Sequence, residues 1–472
     1  MLTLADLIQA LTGTPAPQAA DIMVTAAVLD SRLAIPGCLF IALPGEVVDG
    51  HDFVGQAFEN GAQFALVHQD LSGSYHQIDL RSPIDAGILD GLQLPVCLRV
   101  QDSLAALQRA AGYWRRQLDV KVIGITGSVG KSTTKEMVAE VIGRRYRTLK
   151  NEGNYNNEIG LPLTILNLTR GHQRAVLEMG FYVPGEIRFL CDIALPHIGV
   201  VTNIGTVHAE RAGTQQSIAQ GKGELVECLP ADGTAVLNFD DPLVKAMAQR
   251  TTARVLYYGL APEADIWADE IEGLGLDGVR FRLHHHDDTF HLQVPMLGRH
   301  SVQTALIAAA VGLAEGLDWP EIIAGLRFGH MQLRLVVVQN ERGAILIDDT
   351  YNATPESTLA ALNLLGELQG RKIAVLGDML ELGRYEQQGH EKVGIRAAQV
   401  VDQLILIGPR SRTIADAARC QGFPAARIHQ LDDTEQAIEL LQHQVEKDDV
   451  VLVKGSRGMH MDNIVPALEM ME

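Results

Sequence analysis

Between residues 122 and 137 the chain reads VIGITGSVGKSTTKEM. A short apolar run, a Gly-rich turn and then Lys131, Ser132 and Thr133 follow each other in the order a phosphate-binding loop requires. Val122–Ile125 read as a buried strand, residues 127–130 as a tight turn, and Ser132 onward as the start of a helix. The first N–H groups of such a helix, with the positive end of its dipole behind them, hold oxyanions. Lys131 would reach the outer phosphates of a nucleotide, and the Ser132 hydroxyl would ligate Mg²⁺. The loop is a variant, because the general pattern G-x-x-x-x-G-K-[ST] wants glycine where Ile125 stands.

Three more polar residues lie downstream of that loop. Glu178 ends the strand-like RAVLEMG, and a carboxylate at a strand end suits Mg²⁺, which prefers oxygen ligands and substrate phosphates. His208 follows the strand VVTNIG, and Lys222 lies in the helical segment AQGKGEL. Singly they read as a surface carboxylate, a loop histidine and a solvated helix charge. Together, after one phosphate loop, they point to phosphate and metal chemistry. Farther on, IDDTYNATPES sets Asp348 and Asp349 at a strand end, followed by Tyr351 and Asn352. Thr354 caps the next helix, with Pro355 and Glu356 in its first turn. LGDMLELG and VKGSRGM, the latter with Lys454 and Arg457, end further strands. In open α/β sheets ligands bind beyond the carboxyl ends of the strands, so these segments would share one crevice. HHHDD at 284–288 is a different matter: neighbouring strand residues point to opposite faces, so three consecutive histidines cannot converge on one ion. A solvated hairpin turn is expected there.

The elements that must position these residues fall into an α/β chain of three domains. Residues 1–100 mix short strands (CLFIAL, FALVH, PVCLRV) with helices. Residues 101–325 open with the helix SLAALQRAAGYWRRQL and the phosphate loop. They continue as alternating strands and helices, a mainly parallel sheet, with an appended β-meander between about 263 and 297. Residues 326–472 repeat the alternation as a Rossmann-like doubly wound unit without a G-x-G-x-x-G fingerprint. The 472 residues carry 39 basic and 58 acidic side chains, a net charge of −19, which argues against nucleic acid or an anionic membrane as partner. Five scattered cysteines without a C-x-x-C pair fit reduced thiols in the cytoplasm. The N-terminal MLTLADLIQALTGT reads as an amphipathic helix, not a signal peptide, and the most apolar later stretch stops at Glu315, short of membrane-spanning length.

The chain resembles the Mur ligases. Their phosphate loop reads T-G-x-x-G-K-[ST], as Thr126 to Ser132 do. The likeness extends to DSRLAIPGCLFIALPGEVVDGHDF, NYNNEIGLPLTIL, DDTYNATPES, GDMLELG and KGSRGM. The D-Y-A-H-x-P and D-N-P-R motifs of the sibling that adds the third amino acid are missing. The resemblance implies an ATP-dependent ligase of peptidoglycan precursor synthesis that joins D-alanyl-D-alanine to UDP-N-acetylmuramoyl-tripeptide through an acyl phosphate. The alternative is a Mur-type ligase with another amino-acid substrate. It further implies that Ser31 and Arg32 contact the UDP end of the substrate. The nucleotide would lie on Thr126, Gly127, Ser128, Val129, Gly130, Lys131, Ser132, Thr133 and Asn238, with Arg334 and Asp349 from the third domain. Asn156, Asn157, Tyr351, Asn352, Lys454 and Arg457 would serve the peptide substrates. Lys131, Glu178, His208 and Lys222 would be catalytic, with Ser132, Glu178 and His208 holding two Mg²⁺ ions and Lys222 carrying CO₂ as a carbamate. A monomer in the cytoplasm is expected, without membrane insertion. One departure stands out: the family often reads G-R-H-N-x-x-N-A-L where this chain has GRHSVQTAL, so Ser301 and Thr304 replace two amides.

Overall fold

The structure, a computed structural model, describes residues 1–45, 47–83, 89, 91–207, 209–327 and 336–469. Among them three sheets form, each with its own helices. The first orders its strands Ala27–Val28, Leu39–Ile41, Phe64–Val67, Val96–Arg99 and Gln77–Asp79, all parallel. The second runs Asp288–Val294, Val279–His285, Ile266–Gly273, Arg254–Gly259, Thr234–Asn238, Ile198–Val201, Lys121–Thr126, Arg174–Glu178 and Thr148–Lys150. The third runs Val336–Gln339, Ile345–Asp349, Val450–Lys454, Lys372–Gly377, Gln403–Ile407 and Ile428–Leu431, with only its first strand antiparallel.

Sequence pattern explains where each strand sits. Gln403–Ile407 and Val450–Lys454 are buried along their whole length, as strands covered by helices on both faces must be. The expected meander is the antiparallel part of the second sheet, and in its strand Val279–His285 the buried Val279, Phe281 and Leu283 alternate with the less buried Arg280 and Arg282 because only one face is covered. The histidine-rich turn is narrower than 284–288, because register pairs His284 with Thr289 and His285 with Asp288. His284 is therefore a strand residue; its ring stacks on Trp267 at 3.9 Å and its Nε2 lies 3.0 Å from Asp269 Oδ1. Thr148–Lys150 and Ile428–Leu431 had no apolar run to announce them; both are short edge strands.

The helix Ser103–Arg116 ties the first unit to the second. Its N-cap is Asp102, which accepts from Ala105 N. Trp114 is fully buried and its Nε1 donates to Leu168 O at 2.9 Å. The buried Arg115 guanidinium donates to Ala194 O, Leu118 O and Val120 O at 2.7, 3.1 and 2.7 Å. One continuous core runs from Leu39 and Leu98 of the first sheet through Trp114 to Leu177 and Leu237 of the second. Trp114→Ala should accordingly cost about 3–5 kcal/mol of stability, read from urea unfolding. The third unit meets the second where Glu210 N donates to Glu381 O at 3.3 Å and Gln215 N to Tyr385 Oη at 3.4 Å. Gly383 permits that approach: its φ is +52°, and a Cβ there would sit 2.9 Å from Glu210 Cα.

Candidate active site

The strand Lys121–Thr126 lies between Ile198–Val201 and Arg174–Glu178, and the loop that follows it leaves from their common carboxyl edge. Gly127 starts the turn with φ +149°, and a Cβ there would fall 1.9 Å from Thr202 Oγ1. The neighbouring strand end mounts the loop. Thr202 Oγ1 and Asn203 Nδ2 both donate to Val129 O, at 2.7 and 3.0 Å, while Asn203 Oδ1 accepts from Val129 N at 3.0 Å. Ser128 N donates to Asn203 O at 2.9 Å, and Ser128 Oγ accepts from Gly205 N at 2.8 Å. Thr126 Oγ1 donates to Met179 O at 3.0 Å. Gly130, at φ +84°, opens the helix Lys131–Ile142, and no side chain caps it. A fixed loop before an uncapped helix end is an anion site built from backbone donors. Gly127→Ala should displace the loop against Thr202 at a cost of about 1–3 kcal/mol, read from thermal unfolding.

Two lysines converge on one carbonyl. Lys131 Nζ and Lys222 Nζ each donate to Gly127 O at 2.9 Å. Lys222 belongs to the helix Gln215–Glu227, capped by Thr214, and its side chain is 1% exposed, with Nζ 4.7 Å from the Phe181 ring centre. Burial, and then the charge of Lys131, hold the Lys222 amine well below the ordinary lysine range. Taken singly in the sequence Lys222 read as a solvated helix charge; together with Glu178 and His208 it pointed to phosphate chemistry, and the structure buries it against the loop.

Glu178 is 1% exposed at the end of its strand. Its Oε1 accepts from Asn156 Nδ2 at 2.8 Å, and its Oε2 accepts from Ser132 Oγ. A carboxylate and a hydroxyl, both hard oxygen donors, meet beside the phosphate loop, and this donor set fits Mg²⁺ with phosphate oxygens completing the sphere. Among the described residues no larger cluster of His, Cys, Asp or Glu is assembled. His208 and Arg334 lie outside the described residues.

In the third unit Asp349 and Lys454 are direct partners across parallel strands, and Lys454 Nζ donates to Asp349 Oδ2 at 2.7 Å and to Asn352 O at 2.8 Å. Tyr351 is exposed, and the Arg457 guanidinium stands 6.0 Å from its ring centre. The helix Pro355–Glu367 starts with the capping box of Thr354 and Ser357. Its Glu356 carboxyl group packs over Gly205, about where a Cβ would be 3.1 Å away, and Gly205 is the residue bonded to Ser128 of the loop. The third unit thus reaches a residue that braces the phosphate loop.

Other residues singled out from sequence are engaged elsewhere. Asn157 Oδ1 accepts from Gly160 N at 2.9 Å and so braces a helix start. Asn238 is 3% exposed, with its amide used on Thr202 O and Asp240 N at 2.9 and 3.0 Å, which leaves little of it for an adenine ring. Ser301 Oγ donates to Leu297 O at 2.6 Å, and Thr304 is buried. Thr133 is half-buried in the first turn of the loop's helix. The described bonds of Ser31 and Arg32 stay within the first unit: Ser31 Oγ with Gln56 Oε1 at 2.7 Å, Arg32 in a fork on Asp30. Sequence reasoning missed Thr202, Asn203, Lys135 and Asn151. The strand-end rule that found Glu178 applies equally to Thr202 and Asn203, which follow Val201.

The chain is similar to known proteins along nearly its whole length. Residues 125–312 match the Mur ligase middle domain, residues 333–457 the Mur ligase glutamate ligase domain, and residues 24–79 the Mur ligase family catalytic domain. A UDP-N-acetylmuramoyl-tripeptide–D-alanyl-D-alanine ligase of Bacillus subtilis is 33% identical over 473 residues, covering 99% of this chain and 98% of its own. The crystal structure of MurF from Acinetobacter baumannii superposes with a TM-score of 0.81 at 32% identity over 98% of both chains. MurF ligase from Thermotoga maritima, solved in complex with ADP, gives a TM-score of 0.77 at 28% identity over 95% of this chain and 98% of that one. The chain belongs to the Mur ligase family, alongside the UDP-N-acetylmuramoyl-tripeptide–D-alanyl-D-alanine ligases.

Proposed function

We propose that this protein is an ATP-dependent ligase that joins D-alanyl-D-alanine to UDP-N-acetylmuramoyl-tripeptide during peptidoglycan precursor synthesis in the cytoplasm. The observation that carries the reading is the convergence of Lys131 and Lys222 on Gly127 O beside the bond from half-buried Ser132 to buried Glu178. Relatives bearing that activity in their names match nearly the whole chain, and a solved neighbour holds ADP.

In this reading a carboxylate oxygen at the end of the tripeptide attacks the γ-phosphorus of ATP. The bond to the β-phosphate oxygen breaks, ADP leaves and an acyl phosphate remains. The dipeptide amine then attacks the acyl carbon, the acyl–oxygen bond breaks, and phosphate departs as the amine loses a proton. Both steps gather negative charge where Lys131 and the uncapped helix end can meet it, already oriented. Ser132 and Glu178, with His208, would hold Mg²⁺, which supplies further neutralisation of the phosphate charge. Lys222 would act as a carbamate. Ser31 and Arg32 would hold the UDP end on residues 1–100, the nucleotide would lie on 101–325, and 326–472 would close the site with the Asp349–Lys454 pair, Tyr351, Asn352 and Arg457.

Phosphate release tests the reading. Turnover of ATP is expected only with the UDP-linked tripeptide and D-Ala-D-Ala both present, because the acyl phosphate needs an amine to discharge it. Equal release with the dipeptide left out would remove the ligase assignment.

A further inference from the structure

We propose that Lys135 and Asn151 form a positioning pair that fixes Glu178 from behind the phosphate loop. The inference deepens the ligase reading and rests on it for the role of Glu178. Neither residue touches the reacting groups, and both are closed to water, at 1% and 0% exposure.

A buried ammonium is costly unless its donors are taken. Lys135 Nζ donates to Asn151 O at 2.6 Å and lies 3.2 Å from Glu136 Oε1. Asn151 follows the edge strand Thr148–Lys150, whose backbone ladder on the next strand ends with Lys150 opposite Val176. Past that point the Asn151 side chain continues the pairing in place of a backbone. Its Oδ1 accepts from Glu178 N at 2.9 Å, and its Nδ2 donates to Glu178 O at 3.1 Å and to Tyr155 O at 2.8 Å. One amide thereby holds both backbone polar groups of Glu178.

The consequence is geometric. Lys135 sits on the helix Lys131–Ile142, which also carries Lys131 and Ser132. Glu178 sits on the strand beside it. The Lys135–Asn151–Glu178 chain sets that helix and that strand end in fixed relation, so Ser132 Oγ and Glu178 Oε2 meet. Asn156, on the loop that Asn151 opens, adds its Nδ2 to Oε1. Groups that orient a metal-binding carboxylate typically change metal affinity about 10- to 100-fold when removed.

The test uses the full-length enzyme with ADP and Mn²⁺, reading free Mn²⁺ by electron paramagnetic resonance. Lys135→Met and Asn151→Ala should each weaken Mn²⁺ binding about 10-fold or more. ADP affinity without metal should stay within about two-fold of the parent, which reports an intact second unit. The double variant should be no weaker than Asn151→Ala alone, because the two residues act in series. At fixed Mg²⁺, kcat should fall while KM for D-Ala-D-Ala stays unchanged, and raising Mg²⁺ should restore part of the rate. Should Lys135→Met lose ADP binding, Asn151→Ser, a milder truncation, carries the same readout. Parent-like Mn²⁺ affinity in the folded variants would overturn the positioning pair and leave the ligase reading standing. A parent enzyme with ADP that bound no Mn²⁺ would remove both.

Discussion

Replacing Lys131 by alanine is expected to lower kcat on the order of 100-fold or more. The amine is held over the loop, 2.9 Å from Gly127 O and 3.4 Å from Ser128 O, at the mouth of a helix that no side chain caps. A transferring phosphoryl group spreads charge over its equatorial oxygens, and a cation already in place gains most where that charge peaks. Loss of the fold would give the same drop in rate, so the stability of the variant matters. The melting temperature should stay near the parent's while turnover collapses. Single-turnover phosphate release and thermal unfolding on the same sample separate the two effects. Near-parental turnover would take the loop out of phosphoryl transfer.

What could be read in the sequence follows from how local each signal is. The phosphate loop is contiguous: strand, turn, lysine and helix lie within 122–137, and the structure keeps that order. The buried parallel strands were legible because near-continuous apolar runs such as Gln403–Ile407 have no other economical use. Asp349 and Lys454 were each legible as residues at strand ends, but not as partners. They are 105 residues apart, and only the neighbouring register of their strands makes them an ion pair. Asn151 was invisible for a related reason. It follows a strand whose three residues are half-buried or exposed, so neither the strand nor the amide that extends it has an apolar signature. Asn156 was assigned to substrate through the family likeness, whereas its amide rests on Glu178. The likeness could supply roles for residues, yet which side chains spend their hydrogen bonds on each other emerges from the packed chain.

The Lys222→Ala variant should be nearly inactive, with kcat reduced on the order of 100-fold or more, and acetate or formate should restore part of it. An unmodified ammonium is poorly suited to this position. It would sit out of water, share the Gly127 carbonyl with Lys131 and feel that lysine's charge. The same burial and charge keep the amine neutral below the ordinary lysine range, and a neutral amine is the form that attacks CO₂. The Nζ lone pair forms a bond to carbon, one carbon–oxygen π pair moves onto oxygen, and a proton is released. A carbamate nitrogen would keep one N–H, enough for its bond to Gly127 O, and the two new oxygens would turn repulsion toward Lys131 into attraction. The direction with pH follows: bicarbonate should activate enzyme stripped of CO₂ most strongly above the lowered pKa of Lys222, and the activation should fade as pH falls through it and the amine protonates. Infrared difference spectra with ¹³C-bicarbonate should show a carbamate band in the parent protein and none in Lys222→Ala. Crystals grown in bicarbonate with Mg-ATP should show the added carboxyl group on Nζ. A bare amine in that density, with no rescue by small carboxylates, would leave Lys222 as a structural lysine and remove the carbamate from the mechanism.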